Sequence, residues 1–375
     1  MRIPQLKSYI KTIRKDVSVL IIGPPGIGKS VCLREIAEEE AEEMNLKFVD
    51  YDDGYFNEIM KNPQDYYVFV DIRLSEVEPS DLIGIPRDVD SCIAYKPLTW
   101  ATVLSKAGGG MLLLDEFTNI QRLDILSAAY KIVLDRKAGF VKFGDNIRIV
   151  ALGNSPEHSI VARKLPTPLI SRFHIIEVDA PKVEEWAGWM DAHYKDWDRR
   201  IIAYLTRFPE DFIALPSDAE TLENYPTPRT WTNLALELKD TPMQFLREKI
   251  YGYVGKAVGG KLYAFITTPT PEPEELLSNP KMFKELGLDA KYLAIISVAE
   301  YYKRNEAKKE LAKRVLDFLD VVADVQQDFI MLFFIALGDK RMKFYHYVLD
   351  NRQSKTWMAL REVGNYIALS MVEAR

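Results

Sequence analysis

The chain has few of the residues that build metal centres and disulfide frameworks. Among its 375 residues are two cysteines and four histidines, and none stands at the spacing of a CxxC, HxxxH or HExxH motif. A structural zinc site is therefore not expected. Cys32 and Cys92 fit a reducing compartment, and each is predicted to be a small buried hydrophobic residue.

Long apolar runs and an excess of basic charge are also lacking. The longest apolar run, residues 329–337, is about half of what a membrane-spanning helix needs, so it predicts a buried helix. Residues 1–16 carry charges too often for a signal peptide. Lys and Arg number 49 against 55 Asp and Glu, a net charge of -6 that gives no indication of non-specific nucleic-acid binding. We expect a globular protein of two or three domains in the cytoplasm, with no membrane partner.

Apolar strands alternate with helical patterns in the first half of the chain. Near-continuous apolarity is typical of parallel strands that are covered on both faces. The sequence therefore predicts an α/β domain with a mostly parallel five-stranded sheet between helices. The acidic run EEEAEE at 38–43 is predicted to be a solvated helix face. The five predicted strands are residues 17–22, 66–74, 111–117, 147–154 and 174–180.

The strand signal stops near residue 181, and the rest of the chain is predicted to be helical. Four aromatic residues there, Trp186, Trp189, Trp197 and Tyr204, are expected in a core or an interface. Residues 268–280 are rich in Pro and Glu, which predicts a connector. The predicted division is an α/β nucleotide-binding domain at 1–181, a helical domain at 182–267, the connector at 268–280 and a helical C-terminal region at 281–375.

A glycine-rich loop follows the first predicted strand. Its sequence GPPGIGKS fits the pattern G-x-x-x-x-G-K-[ST] and precedes a helical pattern. Such a loop turns several backbone N–H groups towards phosphate, at the positive end of a helix dipole. Lys29 is predicted to contact the β- and γ-phosphates of ATP or ADP, and Ser30 to contact Mg²⁺. The predicted nucleotide-binding residues are Gly23, Pro24, Pro25, Gly26, Ile27, Gly28, Lys29, Ser30, Val31 and Asp115.

Polar side chains at the ends of later strands supply the catalytic candidates. Asp115 would hold Mg²⁺ with Ser30, directly or through water, and Glu116 would accept a proton from the attacking water or orient it. Two acids after a buried apolar strand are costly without a ligand. Asn154 could orient water beside the γ-phosphate, and Arg172 suits the charge of a transferring phosphoryl group.

The order of these elements resembles the AAA+ ATPases. The loop looks like Walker A, residues 112–139 like the Walker B strand, its helix and the next turn, and Asn154 like the first sensor. The finer pattern resembles the MoxR-like branch, close to the dynein-related type, over about residues 15–280. Two features depart from it: residues 48–66 are extra material, and the insert between Gly84 and Trp100 is short enough to allow only a small hairpin. The segments that carry this finer likeness are 71–87, 95–100 and 227–238, where Arg229 stands at the arginine of the second sensor.

The resemblance implies a ring of identical subunits, commonly a hexamer, with ATP bound between neighbours. Arg172 would then reach the nucleotide of the adjacent subunit, and residues 182–267 would form a lid. Arg229 would sense the nucleotide state, in its own subunit or across the interface. Arg163 is a second candidate for the interface, with a simple surface charge as the alternative.

The sequence leaves three candidate functions. The first is ATP hydrolysis coupled to remodelling or activation of a protein partner, as by a chaperone, and the partner is often a protein with a von Willebrand factor A-type domain. The second is a nucleic-acid-dependent motor, a helicase or translocase, in which residues 139–146 would form a small hairpin that offers Lys142 to phosphate, where a plain β-turn is the alternative. The third is a non-enzymatic scaffold, which would require Glu116 or Arg172 to be inert.

Overall fold

The computed structural model describes residues 1–90, 92–154, 165–214, 223–305 and 309–361. The chain forms two compact units, Met1–Ala180 and Pro181–Arg375. Their boundary lies one residue from the predicted end of the α/β domain. The finer division at 267 and 280 stays a prediction.

The first unit alternates strands and short helices around one sheet. Its helices are α1 (Ile3–Lys11), α2 (Lys29–Glu43), α3 (Phe56–Ile59), α4 (Ser80–Ile83), α5 (Thr99–Leu104), α6 (Leu123–Asp135) and α7 (Thr167–Ile170). Its strands are β1 (Val19–Ile22), β2 (Lys47–Asp50), β3 (Tyr66–Arg73), β4 (Ile85–Val89), β5 (Cys92–Lys96), β6 (Gly109–Asp115), β7 (Lys137–Ala138), β8 (Val141–Lys142), β9 (Ile147–Gly153) and β10 (His174–Glu177).

Six of these strands form a parallel sheet in the order β10-β1-β9-β6-β3-β2. All five predicted strands are present, and the α/β class is confirmed. The predicted count of five is wrong, because Lys47–Asp50 adds a sixth strand beside β3. This edge strand has only four residues, and one of them is buried, so it lacks the apolar run that marks the central strands.

The acidic run on α2 is not simply a solvated face, as had been predicted. Glu39 and Glu43 accept hydrogen bonds from Lys11 on α1 at 2.7 and 2.8 Å. Glu40 is buried and pairs with Arg148 at the start of β9. The helical period places these acids on the sides of α2 that face α1 and the sheet, where basic partners neutralise them.

The two cysteines differ in their surroundings. Cys32 is buried on α2, as predicted, and burial raises the pKa of its thiol to about 12. The prediction for Cys92 is wrong, because this residue is exposed. It begins β5, which pairs with β4 in a hairpin outside the main sheet.

The described residues of the second unit form helices and no strands. These are α8 (Val183–His193), α9 (Arg200–Arg207), α10 (Pro228–Leu238), α11 (Met243–Ile266), α12 (Pro273–Ser278), α13 (Met282–Glu285), α14 (Leu288–Asn305), α15 (Lys309–Ala323), α16 (Asp328–Leu337) and α17 (Arg341–Asp350). One hydrophobic cluster runs through them from Val183 to Leu360. The predicted helical lid, connector and C-terminal region therefore share a core, and α12 lies within the connector.

The aromatic residues of this unit follow the prediction. Trp186, Trp197 and Tyr204 are buried, and Trp189 packs against the same core. The apolar run 329–337 lies in the buried helix α16, as expected. Within the described part of the chain, no helix is both long and apolar enough to cross a membrane.

Candidate nucleotide-binding site

The glycine-rich loop joins β1 to α2 at the carboxyl edge of the sheet. Gly28 takes a left-handed conformation with a φ of 93° and ends the loop directly before Lys29, the first residue of α2. A Cβ at Gly28 would meet nothing within 4 Å, whereas one at Gly23 would lie 2.3 Å from the carbonyl oxygen of Val178. The loop is thus held closely against the end of β10 on one side and is open on the other. The uncapped start of α2 leaves backbone N–H groups for an anion there.

Lys29 connects the loop to the end of β9. Its ammonium group donates to the carbonyl oxygens of Gly23 at 2.7 Å and Pro24 at 2.8 Å, and to Oδ1 of Asn154 at 3.1 Å. The sheet order explains this contact, because β9 lies between β1 and β6. Two residues predicted from separate motifs are therefore hydrogen-bonded to each other.

Ser30 and Asp115 form the second contact between predicted site residues. The hydroxyl of Ser30 donates to Oδ2 of Asp115 over 3.0 Å. Two neighbouring oxygen ligands of an octahedral Mg²⁺ ion, each about 2.1 Å from the metal, are about 3 Å apart. The spacing of this pair thus fits a shared Mg²⁺ ion. Among the described residues there is no group of three or more His, Cys, Asp or Glu able to hold a metal by themselves, so water or phosphate would complete the coordination.

Glu116 occupies an unusual backbone conformation. Its φ of 58° and ψ of 31° are left-handed, which is uncommon for a residue with a side chain. Its N–H donates to Oδ1 of Asp115 at 2.7 Å. Strain of this kind is often found at functional sites. Here it turns the chain sharply at the end of β6, directly after the proposed metal ligand.

Thr118 is a positioning residue that the sequence patterns missed. Its side chain is 4% exposed, and its hydroxyl accepts from the N–H of Asn154 at 2.9 Å and lies 3.2 Å from the carbonyl oxygen of Asn154. A Cβ at Gly153 would lie 2.5 Å from the methyl group of Thr118. Thr118 therefore fixes the end of β9 against the segment after β6. No spacing rule in the sequence marks a threonine for this contact.

Asp71 lies on the same face of the sheet as Asp115. In the β3–β6 register Arg73 is opposite Asp115, and Asp71 is opposite Leu113. Asp71 is exposed at the surface, but the atoms around its carboxyl group partly desolvate it. This desolvation, followed by the negative charge of Asp115, raises the pKa of Asp71 to about 6. Asp71 begins the segment 71–87, which resembles the MoxR-like branch, but the sequence patterns assign no role to this residue.

Arg172 lies at the amino ends of the parallel strands, whereas the loop lies at their carboxyl ends. It is exposed and precedes β10, whose first residue, His174, pairs with Val19 at the start of β1. The loop follows the other end of β1. Arg172 and the loop are therefore separated by the length of a four-residue strand, about 10 Å. The structure does not bring Arg172 to the site of its own chain.

The other predicted site residues lie in the loop, on α2 and in the second unit. Val31 is 47% exposed on the first turn of α2, while Ile27 is buried within the loop. Arg229 is exposed at the second position of α10 in the second unit. Arg163 lies outside the described residues.

Two small hairpins expose apolar side chains in the first unit. β4 pairs with β5 in the short insert, and β7 pairs with β8. Residues 139–146 hold the two-residue turn and the second strand of that hairpin, whose first strand, Lys137–Ala138, precedes the predicted range. Ile93 is 70% exposed and Phe140 is 73% exposed. The rings of Tyr95 and Phe140 are 5.5 Å apart, so the two hairpins contact each other. Lys142 is exposed on the second hairpin.

The left-handed conformation of Glu116 predicts that glycine stabilises the fold more than alanine at this position, the reverse of the order inside a helix. Glu116→Gly is expected to have a free energy of unfolding about 1 kcal/mol higher than Glu116→Ala, because a Cβ is disfavoured at this φ. At Glu38, inside α2, the same comparison should favour Ala by about 1 kcal/mol. Urea unfolding of the four variants measures both differences. The same order at both positions would show that the backbone at Glu116 is not strained.

Comparisons with known proteins give limited similarity. No family model and no curated protein matches the chain. A crystal structure of NtrX from Brucella abortus in complex with ADP matches at 18% identity with a TM-score of 0.37, over 79% of this chain and 64% of that one. The FIGL-1 AAA domain in complex with ADP matches at 14% identity with a TM-score of 0.36, over 74% of this chain and 80% of that one. The chain thus spans less than two thirds of the NtrX chain, and likeness at these TM-scores adds nothing to what the side chains of the site indicate.

Proposed function

We propose that this protein is a MoxR-like AAA+ ATPase that hydrolyses ATP to ADP and phosphate and so remodels or activates a protein partner. The observation that carries the proposal is the 3.0 Å contact between Ser30 and Asp115. It joins the end of a phosphate-binding loop to a carboxylate at the end of a buried strand. Hydroxyl and carboxylate oxygens in that arrangement suit Mg²⁺ bound to a nucleoside triphosphate.

Each side chain at the site has a distinct task in this proposal. Lys29 and the N–H groups of the loop bind the phosphates, and Asn154 orients the attacking water beside them. Glu116 accepts the proton that this water loses on attack. Mg²⁺, held by Ser30 and Asp115, would neutralise charge on the β- and γ-phosphates. Thr118 keeps Asn154 in place through its backbone.

The position of Arg172 supports catalysis across a subunit interface. Arg172 is exposed at the amino ends of the strands, away from the nucleotide-binding loop of its own chain. It is therefore available to the nucleotide site of a neighbouring copy. We propose a homo-oligomeric ring, most simply a hexamer, in which Arg172 completes the site of the adjacent subunit. In this ring residues 182–267 act as the lid, and Arg229 senses nucleotide.

The exposed hairpins support a protein partner. Ile93, Tyr95 and Phe140 offer an apolar surface, which suits a protein better than a phosphate backbone. The proposed partner is a protein with a von Willebrand factor A-type domain. A nucleic-acid-dependent motor remains the alternative, for which Lys142 is the available cation. ATPase stimulation by DNA that falls steeply with salt would favour that alternative.

Mixing two inactive variants tests the ring. Lys29→Ala should abolish nucleotide binding but leave Arg172 intact, and Arg172→Ala should have the reverse defect. Mixed at equal amounts, random assembly pairs an intact site with an intact arginine at about one interface in four, so about a quarter of the wild-type ATPase rate is expected. Steady-state ATPase assays of each variant and the mixture measure this.

The matched control is a mixture of Lys29→Ala with the double variant Lys29→Ala, Arg172→Ala, which should stay inactive. An Arg172→Ala variant that is inactive alone and unchanged on mixing would contradict catalysis across the interface. An ATPase rate per subunit that is independent of protein concentration, in a protein that stays monomeric over that range, would contradict assembly.

A further inference from the structure

Asp71 lies between the two contacts that α2 makes with the carboxyl end of the sheet. Ser30 bonds Asp115 on β6, and Arg34, one helical turn later, bonds Asp50 on β2 at 3.0 Å. β3, which carries Asp71, is the strand between β6 and β2. Asp50 pairs in register with Phe69, so Asp50, Asp71 and Asp115 share the face that α2 covers.

The carboxylate of Asp71 is available for a further contact. It makes no hydrogen bond or ion pair with another residue of the described ranges, and its side chain is accessible to solvent. By contrast, Asp50 is paired with Arg34, and Arg73 is paired with Glu76 at 3.4 Å. Asp71 is therefore a carboxylate that faces the proposed metal ligand and has no described partner.

The strand geometry places Asp71 at a suitable distance for contact through water. Asp71 stands two residues before the register partner of Asp115 on the neighbouring strand, so their Cα atoms are about 8 Å apart. That separation is too large for both carboxylates to bind one ion directly. It fits an arrangement in which one carboxylate holds the ion and the other accepts hydrogen bonds from its water molecules. Mg²⁺ usually keeps several waters in protein sites.

We propose that Asp71 is a positioning residue for Mg²⁺, accepting hydrogen bonds from water bound to the ion that Ser30 and Asp115 hold. The inference rests on the proposed nucleotide site. In this role Asp71 orients the hydrated ion, and its negative charge offsets part of the positive charge of Mg²⁺. Residues that bind a metal through its ligands in this way commonly change metal affinity by about tenfold or more when replaced.

Binding of ADP at different Mg²⁺ concentrations tests the role without depending on catalysis. For Asp71→Asn, the Mg²⁺ concentration that gives half of the metal-dependent gain in ADP affinity should rise about tenfold. ADP affinity in EDTA should be unchanged or slightly tighter, because a negative charge near the phosphates is removed. Fluorescence titration with a labelled ADP measures both quantities. Asp50→Asn is the matched control and should leave the Mg²⁺ dependence unchanged, since that carboxylate is paired with Arg34.

The outcomes separate the inference from the function on which it rests. A wild-type protein whose ADP affinity does not depend on Mg²⁺ would overturn both. A wild-type Mg²⁺ dependence that is unchanged in Asp71→Asn, but weakened in Asp115→Asn, would overturn only the role of Asp71. A purely structural role would lower ADP affinity in EDTA as well, and this too would overturn the proposal. Asp71→Ser provides a second variant with the same expected result.

Discussion

Glu116→Gln is expected to bind ATP with nearly wild-type affinity and to hydrolyse it about 10²- to 10⁴-fold more slowly. Glutamine has the size of glutamate but cannot accept a proton from water. The groups proposed to bind the nucleotide and its ion are on the loop and at Ser30 and Asp115, and none of the hydrogen bonds given for them among the described residues involves the Glu116 side chain. Both residues meet the same left-handed backbone, so folding should not change.

Single-turnover hydrolysis and equilibrium binding of ATP separate the two effects. Glu76→Gln is a matched control, because Glu76 is an exposed acid in the turn after β3 and pairs only with Arg73 among the described residues. Its hydrolysis rate should equal that of the wild type. Undiminished turnover in Glu116→Gln would remove Glu116 from the proton transfer. Equal losses of binding and hydrolysis would assign it to the structure of the loop.

The parts of the site that could be predicted are those held by a short local pattern. The loop 23–30 must leave a strand, turn around phosphate and start a helix, and each step restricts the residues that fit. Asp115 and Asn154 end apolar strands, and parallel strands present their carboxyl ends at one edge of a sheet. The patterns therefore indicated that these residues would meet, and the contacts of Lys29 with Asn154 and of Ser30 with Asp115 agree with this.

The parts that could not be predicted depend on contacts between distant segments. Thr118 is defined by its bonds to Asn154, and nothing in its neighbours specifies them. Strand β2 has too few apolar residues to stand out and forms because β3 offers an open edge. Glu40 was interpreted as solvated because the local run is acidic, whereas its partner, Arg148, lies more than a hundred residues further along the chain. Strand order decides such contacts, and local periodicity carries no information about it.

The buried pair of Glu40 and Arg148 gives the largest expected effect on stability. Arg148 is 1% exposed and donates to Oε1 of Glu40 through two nitrogens, at 2.8 and 3.2 Å. Its third nitrogen donates to the carbonyl oxygen of Ile13 at 3.0 Å, and the hydroxyl of Tyr67 donates to Oε2 of Glu40 at 2.8 Å. Arg148→Met removes the guanidinium and leaves a buried carboxylate without its main partner. The free energy of unfolding at pH 7 should fall by about 3–5 kcal/mol.

The double variant Glu40→Leu, Arg148→Met is the matched control. Replacing both charges removes the unpaired carboxylate, so the double variant should be more stable than Arg148→Met alone. It should stay below the wild type by about 1–3 kcal/mol, because Tyr67 and the carbonyl of Ile13 lose their partners. Urea unfolding of the single and double variants, followed by circular dichroism, measures the coupling.

The pH dependence shows whether charge causes the loss. Burial opposes ionisation of Glu40, but Arg148, Tyr67 and Lys15 outweigh it and hold the pKa below its ordinary value. In the wild type this contribution is therefore present above the unfolded pKa of about 4.3 and is lost as the pH falls through the folded pKa. Without Arg148 the buried carboxylate should protonate more readily, so the deficit of Arg148→Met should shrink between pH 7 and about pH 4.5. An equal deficit at both values would assign the loss to packing.

This pair also bears on the proposed active site, because it joins the same two elements at their other ends. Glu40 is near the end of α2, which begins at Lys29, and Arg148 is near the start of β9, after which Asn154 follows. The Lys29–Asn154 contact at one end and the Glu40–Arg148 pair at the other therefore fix α2 against β9. If that is so, the more stable double variant should bind ADP more tightly than Arg148→Met, at temperatures where both are folded. Equal affinities would show that the two ends act independently.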